Sequence, residues 1–127
     1  MNNLEVIARL KIRPGQLEGF KVQVAEIVRI TREKDAHTLR CDWFVNEDGT
    51  EGEVHEIFPN EEGLIEHKMN TMEATAALFR DYAYDHHATI YGEVSQGFID
   101  LLTQRTGAPT VFSFLQGLET AAAVSPP

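Results

Sequence analysis

From Leu4 to Ile12 the chain reads LEVIARLKI, and Val6, Ala8, Leu10 and Ile12 recur with period two, the spacing of one buried strand face. Pro14-Gly15 interrupts that pattern. Leu17, Phe20, Val24, Ile27, Val28 and Thr31 then follow at three- and four-residue intervals, which predicts an amphipathic helix to about Lys34. From Thr38 to Val45, Leu39, Cys41, Trp43 and Val45 alternate with Arg40, Asp42 and Phe44. The run Asn46-Glu47-Asp48-Gly49 supplies turn chemistry before Glu51 to Phe58, so the two segments predict a β-hairpin.

After Pro59, Asn60 is placed to cap a helix whose first turn carries Glu61 and Glu62, and that helix should run to about Asn70. Leu64, Ile65, Met69 and Met72 define its apolar stripe. Thr71 to Tyr84 again has helical spacing, with Met72, Ala76, Phe79 and Ala83 aligned; the pattern fits either one long helix or a kinked pair. Ala88 to Val94 suits a fourth strand, Ser95 caps a short helix to about Arg105, and Pro109 to Gln116 resembles a fifth strand. Residues 1–120 read as one domain, with a frayed tail from Ala121 to Pro127. The order through Val94 is β-α-β-β-α-β, the ferredoxin-like arrangement of an α+β domain with two helices over one face of a four-stranded sheet. The other face needs a cover. There Arg40, Asp42 and Phe44 share one side of strand two, and Glu51, Glu53, His55 and Ile57 share one side of strand three.

Composition narrows the partners. The 127 residues, 43% of them hydrophobic, suffice for one core. Eleven Lys and Arg against twenty Asp and Glu give a net charge of −9, which disfavours nucleic acid and anionic lipid. No apolar run approaches the ~20 residues of a membrane helix. A single cysteine, Cys41, and a start without a secretory pattern point to a reducing, cytoplasmic setting.

Three segments together resemble the antibiotic biosynthesis monooxygenase domains of the dimeric α/β-barrel superfamily: Val6 to Phe20, the hairpin Thr38 to Phe58, and Asn60 to His67. In that family a strand ending in Pro-Gly leads into the first helix, and a Glu on strand three precedes an acidic turn and a helix bearing a His. The corresponding positions here resemble Pro14-Gly15, Glu56 and His67. The resemblance implies a homodimer whose sheets pack into a barrel, with a small-molecule cleft between sheet and helices in each protomer. The helix and strand after Val94 go beyond the shortest family members and resemble a longer branch, in which the added strand extends or crosses the dimer sheet.

His67 is the first candidate for acid/base work, because an imidazole exchanges a proton near neutral pH and the family often places a His here. At 100° per residue it lies roughly 200° around the helix from Ile65, off the apolar stripe, so the plainer expectation is an exposed or interface histidine. His55 and Glu56 are adjacent on a strand and face opposite ways, so they cannot form one acid/base pair. His55 can line a cleft with Asp42 or Arg40, or make only a cross-strand contact. Glu56 is expected to orient other groups or pair with an Arg. Trp43 can stack on a planar ligand or pack beneath the helices, and Phe44, Tyr91, Phe112 and Phe114 are pocket walls only if they converge. Asp85-His86-His87 and His37 lack the spacing of a zinc motif, so no metal is expected. Cys41 is expected to be a buried, neutral thiol. Gly15, Gly92, Gly97 and Gly107 are too scattered for a nucleotide fingerprint, and no cofactor is indicated.

What the resemblance implies is a cofactor-independent monooxygenase acting on a small planar aromatic such as a quinol or phenol, with His67, His55, Arg40 and the aromatic residues as its site. A haem-degrading branch uses a strand-one Asn, a strand-three Trp and the helix-two His. Ala8 and Phe58 stand at the first two positions, which disfavours that chemistry. The competing expectation is a dimeric small-molecule-binding or stress-associated module without catalysis.

Overall fold

The computed structural model describes residues 3–118. Its elements are β1 (Leu4–Ile12), α1 (Leu17–Lys34), β2 (Arg40–Val45), β3 (Glu51–Phe58), α2 (Glu61–Asn70), α3 (Met72–Asp81), β4 (Ala83–Tyr91), α4 (Gln96–Thr106) and β5 (Thr110–Phe112). The sheet order is β2-β3-β1-β4-β5, antiparallel except for the β4–β5 pair. The first four strands have the ferredoxin-like order, and β5 extends that sheet at the β4 edge.

β1 sets the two faces. Leu4, Val6, Ala8, Leu10 and Ile12 are buried beneath the helices, as their period-two spacing requires. One half of the core joins Leu4, Val6, Phe58, Leu64 and Ile90 to Phe98 and Leu102 of α4; the other joins Leu10, Ile12, Phe20 and Ile27 to Leu78 and Ala83. Gly52 lets α1 approach β3 closely, because a Cβ there would lie 2.9 Å from Phe20 Cζ. Trp43 packs edge-on against Phe20, ring centres 6.1 Å apart, as expected of a residue beneath the helices.

The structure decides one segment left open by the sequence and places another differently. Thr71 divides the second helical region: it follows α2 and precedes α3, and its Oγ1 donates to the His67 carbonyl at 2.7 Å. That back-bond to the preceding turn bends the axis, which selects the kinked pair. Helix α3 then stops at Asp81, and β4 begins at Ala83, five residues before the expected Ala88. The polar run Asp85-His86-His87 hides the strand because it forms a β-bulge. Arg9 pairs with His87 and Lys11 with Tyr84, so two steps on β1 face three on β4. Asp85 takes φ 56°, a left-handed conformation that Asp tolerates, and its carboxylate meets Lys11 at 3.3 Å. β1 and β3 have the expected bounds, whereas β2 begins at Arg40 rather than Thr38 and β5 covers only Thr110–Phe112 of the anticipated 109–116 segment. The expected tail, 121–127, lies outside the described residues. Among those residues, no helix is long and apolar enough to cross a membrane.

Candidate functional site

His67 is buried, at 4% exposure, which corrects its placement off the core face. The inward side of α2 is Gly63, Leu64 and His67, one turn apart, while Met69 and Met72 are 68% and 53% exposed. Methionine content misdirected the reading of the stripe, and Gly63 offered no hydrophobic signal. Burial of His67 is possible because both ring nitrogens meet carboxylates: Nδ1 lies 2.7 Å from Asp35 Oδ2, and Nε2 lies 3.1 Å from Glu56 Oε2. Two acceptors call for a proton on each nitrogen, hence an imidazolium between two anions. Glu56 therefore pairs with His67 rather than with an Arg.

The loop after α1 carries the second carboxylate. Asp35 terminates that helix, accepts from Asn70 Nδ2 at 2.8 Å and from Thr38 Oγ1 at 2.6 Å, and its side chain is 1% exposed. Glu66 holds the same loop against α2 by accepting from the backbone N–H groups of Ala36 and His37. Burial alone would raise the Asp35 pKa, but the hydrogen bonds from Asn70, Thr38 and His67 outweigh it and hold the group below its usual 3.8. Burial likewise works against a charged His67, yet Glu56 and Asp35 together raise its pKa above 6.5. Cys41 lies directly across from Glu56 in the β2–β3 ladder. Burial, reinforced by the Glu56 charge, pushes its thiol up to about 12, so it is protonated and unreactive as a nucleophile. Among the described residues, Cys41, Glu56 and His67 offer one sulfur, one carboxylate oxygen and one ring nitrogen within 4.8 Å of one another.

A cleft opens on the other side of β1. Val6, Leu64, Ile90 and Leu102 form apolar walls, Lys68 and His86 bring charge and a proton acceptor, and Gly107 to Pro109 close the outer side. Its cavity volume is ≈ 40 Å³. The bulge in β4 turns His86 toward the helices, where its ring lies tilted at 45° against Phe79, ring centres 4.9 Å apart. His86 is exposed by surface area, but the atoms packed around its ring, with Lys68 as the next contributor, lower its pKa below 6.5. Lys68 and His86 were not singled out as a pair from sequence. Their only signal was a polar triplet inside a strand and a cation following His67.

Of the remaining predicted residues, Trp43 lies beneath the helices against Phe20 and the others lie on the open face. His55 Nε2 is 2.6 Å from Glu53 Oε1, and Glu53 also accepts from Arg9 at 2.7 Å. His55 pairs across the ladder with Asp42, whose carboxylate meets Arg40 at 2.8 Å, and its ring lies 4.8 Å from that of Phe44. Tyr91 stacks on Phe112 at 5.7 Å, at the other end of the sheet. Two hollows of ≈ 360 Å³ each indent this face, one beside Phe44 and one beside Tyr91. The structure thus separates His67 from His55, Arg40, Asp42, Phe44 and Tyr91, and the aromatic residues do not converge on one cavity.

A family model described as antibiotic biosynthesis monooxygenase matches residues 4–80. The fold is similar to that of MupZ from Pseudomonas fluorescens, with a TM-score of 0.79, 22% identity, and coverage of 98% of this chain and 95% of that one. It is also similar to Rv0793 from Mycobacterium tuberculosis, with a TM-score of 0.63, 18% identity and coverage of 75% and 98%. PA3566 from Pseudomonas aeruginosa gives a TM-score of 0.64, 15% identity and coverage of 75% and 97%. No curated protein sequence matches the chain.

Proposed function

The chain belongs to the antibiotic biosynthesis monooxygenase family, and we propose that it oxygenates a small planar phenol or quinol, without a cofactor, in the cleft beneath α2. The observation that carries this reading is that the His86 ring and the Lys68 side chain line one apolar cleft, where burial and Lys68 lower the His86 pKa. A neutral imidazole accepts the substrate's acidic proton, and the ammonium stabilises the phenolate left behind. The electron-rich anion then reacts with dioxygen. For an anthrone, one oxygen atom replaces two hydrogens as a carbonyl, and the other leaves as water.

In this reading His67 is a positioning residue: it holds Glu56 and Asp35 in place under α2 and touches no substrate. A second copy of the chain covers the open face, where it encloses His55, Arg40, Asp42, Phe44 and Tyr91. A reducing cytoplasm is the expected setting for the single thiol.

The narrowness of the cleft favours a second reading. At ≈ 40 Å³ it is well below the ~150 Å³ cavity that takes up benzene, so an aromatic ring enters only if the segment Gly107 to Pro109 moves outward. A cleft that stays closed fits a non-catalytic dimeric module. Oxygen uptake by chelator-treated protein over a panel of quinols and anthrones decides between the two. The oxygenase reading expects uptake that falls ~10²-fold in His86→Ala. No uptake from any member of the panel leaves the module.

A further inference from the structure

We infer that Cys41, Glu56 and His67 form a three-ligand site for a borderline-soft divalent cation of the zinc type, with Asp35 as the carboxylate that orients the histidine. The inference goes beyond the oxygenation reading, and the site is separate from the cleft: Val6 of β1 pairs with Glu56 on one side and with Ile90, a cleft residue, on the other.

Three observations support it. The first is the donor set. One sulfur, one nitrogen and one oxygen come together within 4.8 Å, from β2, α2 and β3 respectively. Zinc bonds of about 2.0–2.3 Å place tetrahedral ligands roughly 3.3–3.7 Å apart, so the 3.1 Å between His67 Nε2 and Glu56 Oε2 is already close to the required spacing, and Cys41 needs to move by only about 1 Å. The second is the outer shell. Metal-bound imidazoles commonly donate their other N–H to a carboxylate, and the Nδ1 to Asp35 contact at 2.7 Å, itself fixed by Asn70 and Thr38, provides that. The third is charge. The carboxylates of Asp35 and Glu56 lie buried on either side of His67 and supply negative charge that a dication offsets.

The fourth tetrahedral position is left for water or an anion. Structurally, the ion would tie β2, the edge strand at one side of the sheet, to β3 and α2. β2 has no fully buried residue of its own, so such a tie adds to an edge that burial alone holds weakly.

The test uses purified full-length chain with Zn²⁺ and Co²⁺. Because Cys41 is the sole cysteine, every thiol signal reports this site. The expected result is one Co²⁺ per chain with a tetrahedral spectrum and thiolate-to-metal charge-transfer absorption, which Zn²⁺ abolishes by displacing the Co²⁺. Cys41→Ser should lose the charge-transfer band. Glu56→Gln, which keeps the side-chain shape, should weaken Co²⁺ binding at least ~10-fold while circular dichroism stays unchanged. Absence of the charge-transfer band at saturating Co²⁺ overturns the proposal. So does Co²⁺ binding with an identical spectrum in Cys41→Ser, which would place the ion on surface histidines.

Discussion

His67 beneath the helices and His55 on the open face each contact a carboxylate, at 3.1 Å from Glu56 and 2.6 Å from Glu53. The closer contact is the weaker support. The His55 and Glu53 side chains are 33% and 26% exposed, so water competes for both and screens their attraction. The His67, Asp35 and Glu56 side chains are 6%, 1% and 11% exposed, and each would be left as a stranded buried charge without the others. Distance alone ranks the two contacts wrongly; burial decides.

The largest expected effect follows from that asymmetry. His67→Ala leaves two carboxylates facing each other out of water and should cost about 3–5 kcal/mol in urea unfolding. His55→Ala should stay within about 1 kcal/mol. Equal losses would erase the distinction between the faces.

Acidity gives a smaller and signed effect. The folded pKa of Asp35 lies below 3.8, so its contribution is present above that value and fades as pH falls through the folded pKa. The folded pKa of His67 lies above 6.5, so its contribution is complete below 6.5 and fades as pH rises through the folded pKa. His86 has the opposite sign: its folded pKa lies below 6.5, its contribution is present above 6.5, and it is lost as pH falls. Above pH 6.5 the His86 contribution only rises to completion, so His67 alone of the three should lower the urea midpoint as pH rises. His67→Gln should flatten that part of the profile; an unchanged slope would assign it to another group.

The smallest effects belong to the outer side of α2 and its junction with α3. Met69→Ala and Met72→Ala should each change stability by no more than about 0.5 kcal/mol, although both carry large apolar side chains. Losses of about 2 kcal/mol or more would mean that these methionines are buried, either by this chain or by a second copy.

The alternating strands and the long first helix were legible in sequence because each has one wet and one dry face. So was the opposition of His55 and Glu56, which rests on strand geometry alone. The buried clamp was not legible. Asp35 lies 32 residues from His67, and nothing local marks a loop carboxylate as the partner that permits a histidine in the core. The start of β4 was hidden for a related reason: a bulge relaxes alternation and lets three polar residues continue a strand. The same bulge turns His86 toward the cleft, so the residue hardest to place from sequence carries the proposed chemistry.

The division of labour between the two sides of β1 is tested most directly by a nuclear magnetic resonance titration of the histidine ring nitrogens. The account predicts that His67 titrates above 6.5 and His86 below 6.5. A His67 that titrates at or below 6.5, or a His86 that titrates at or above it, would contradict it.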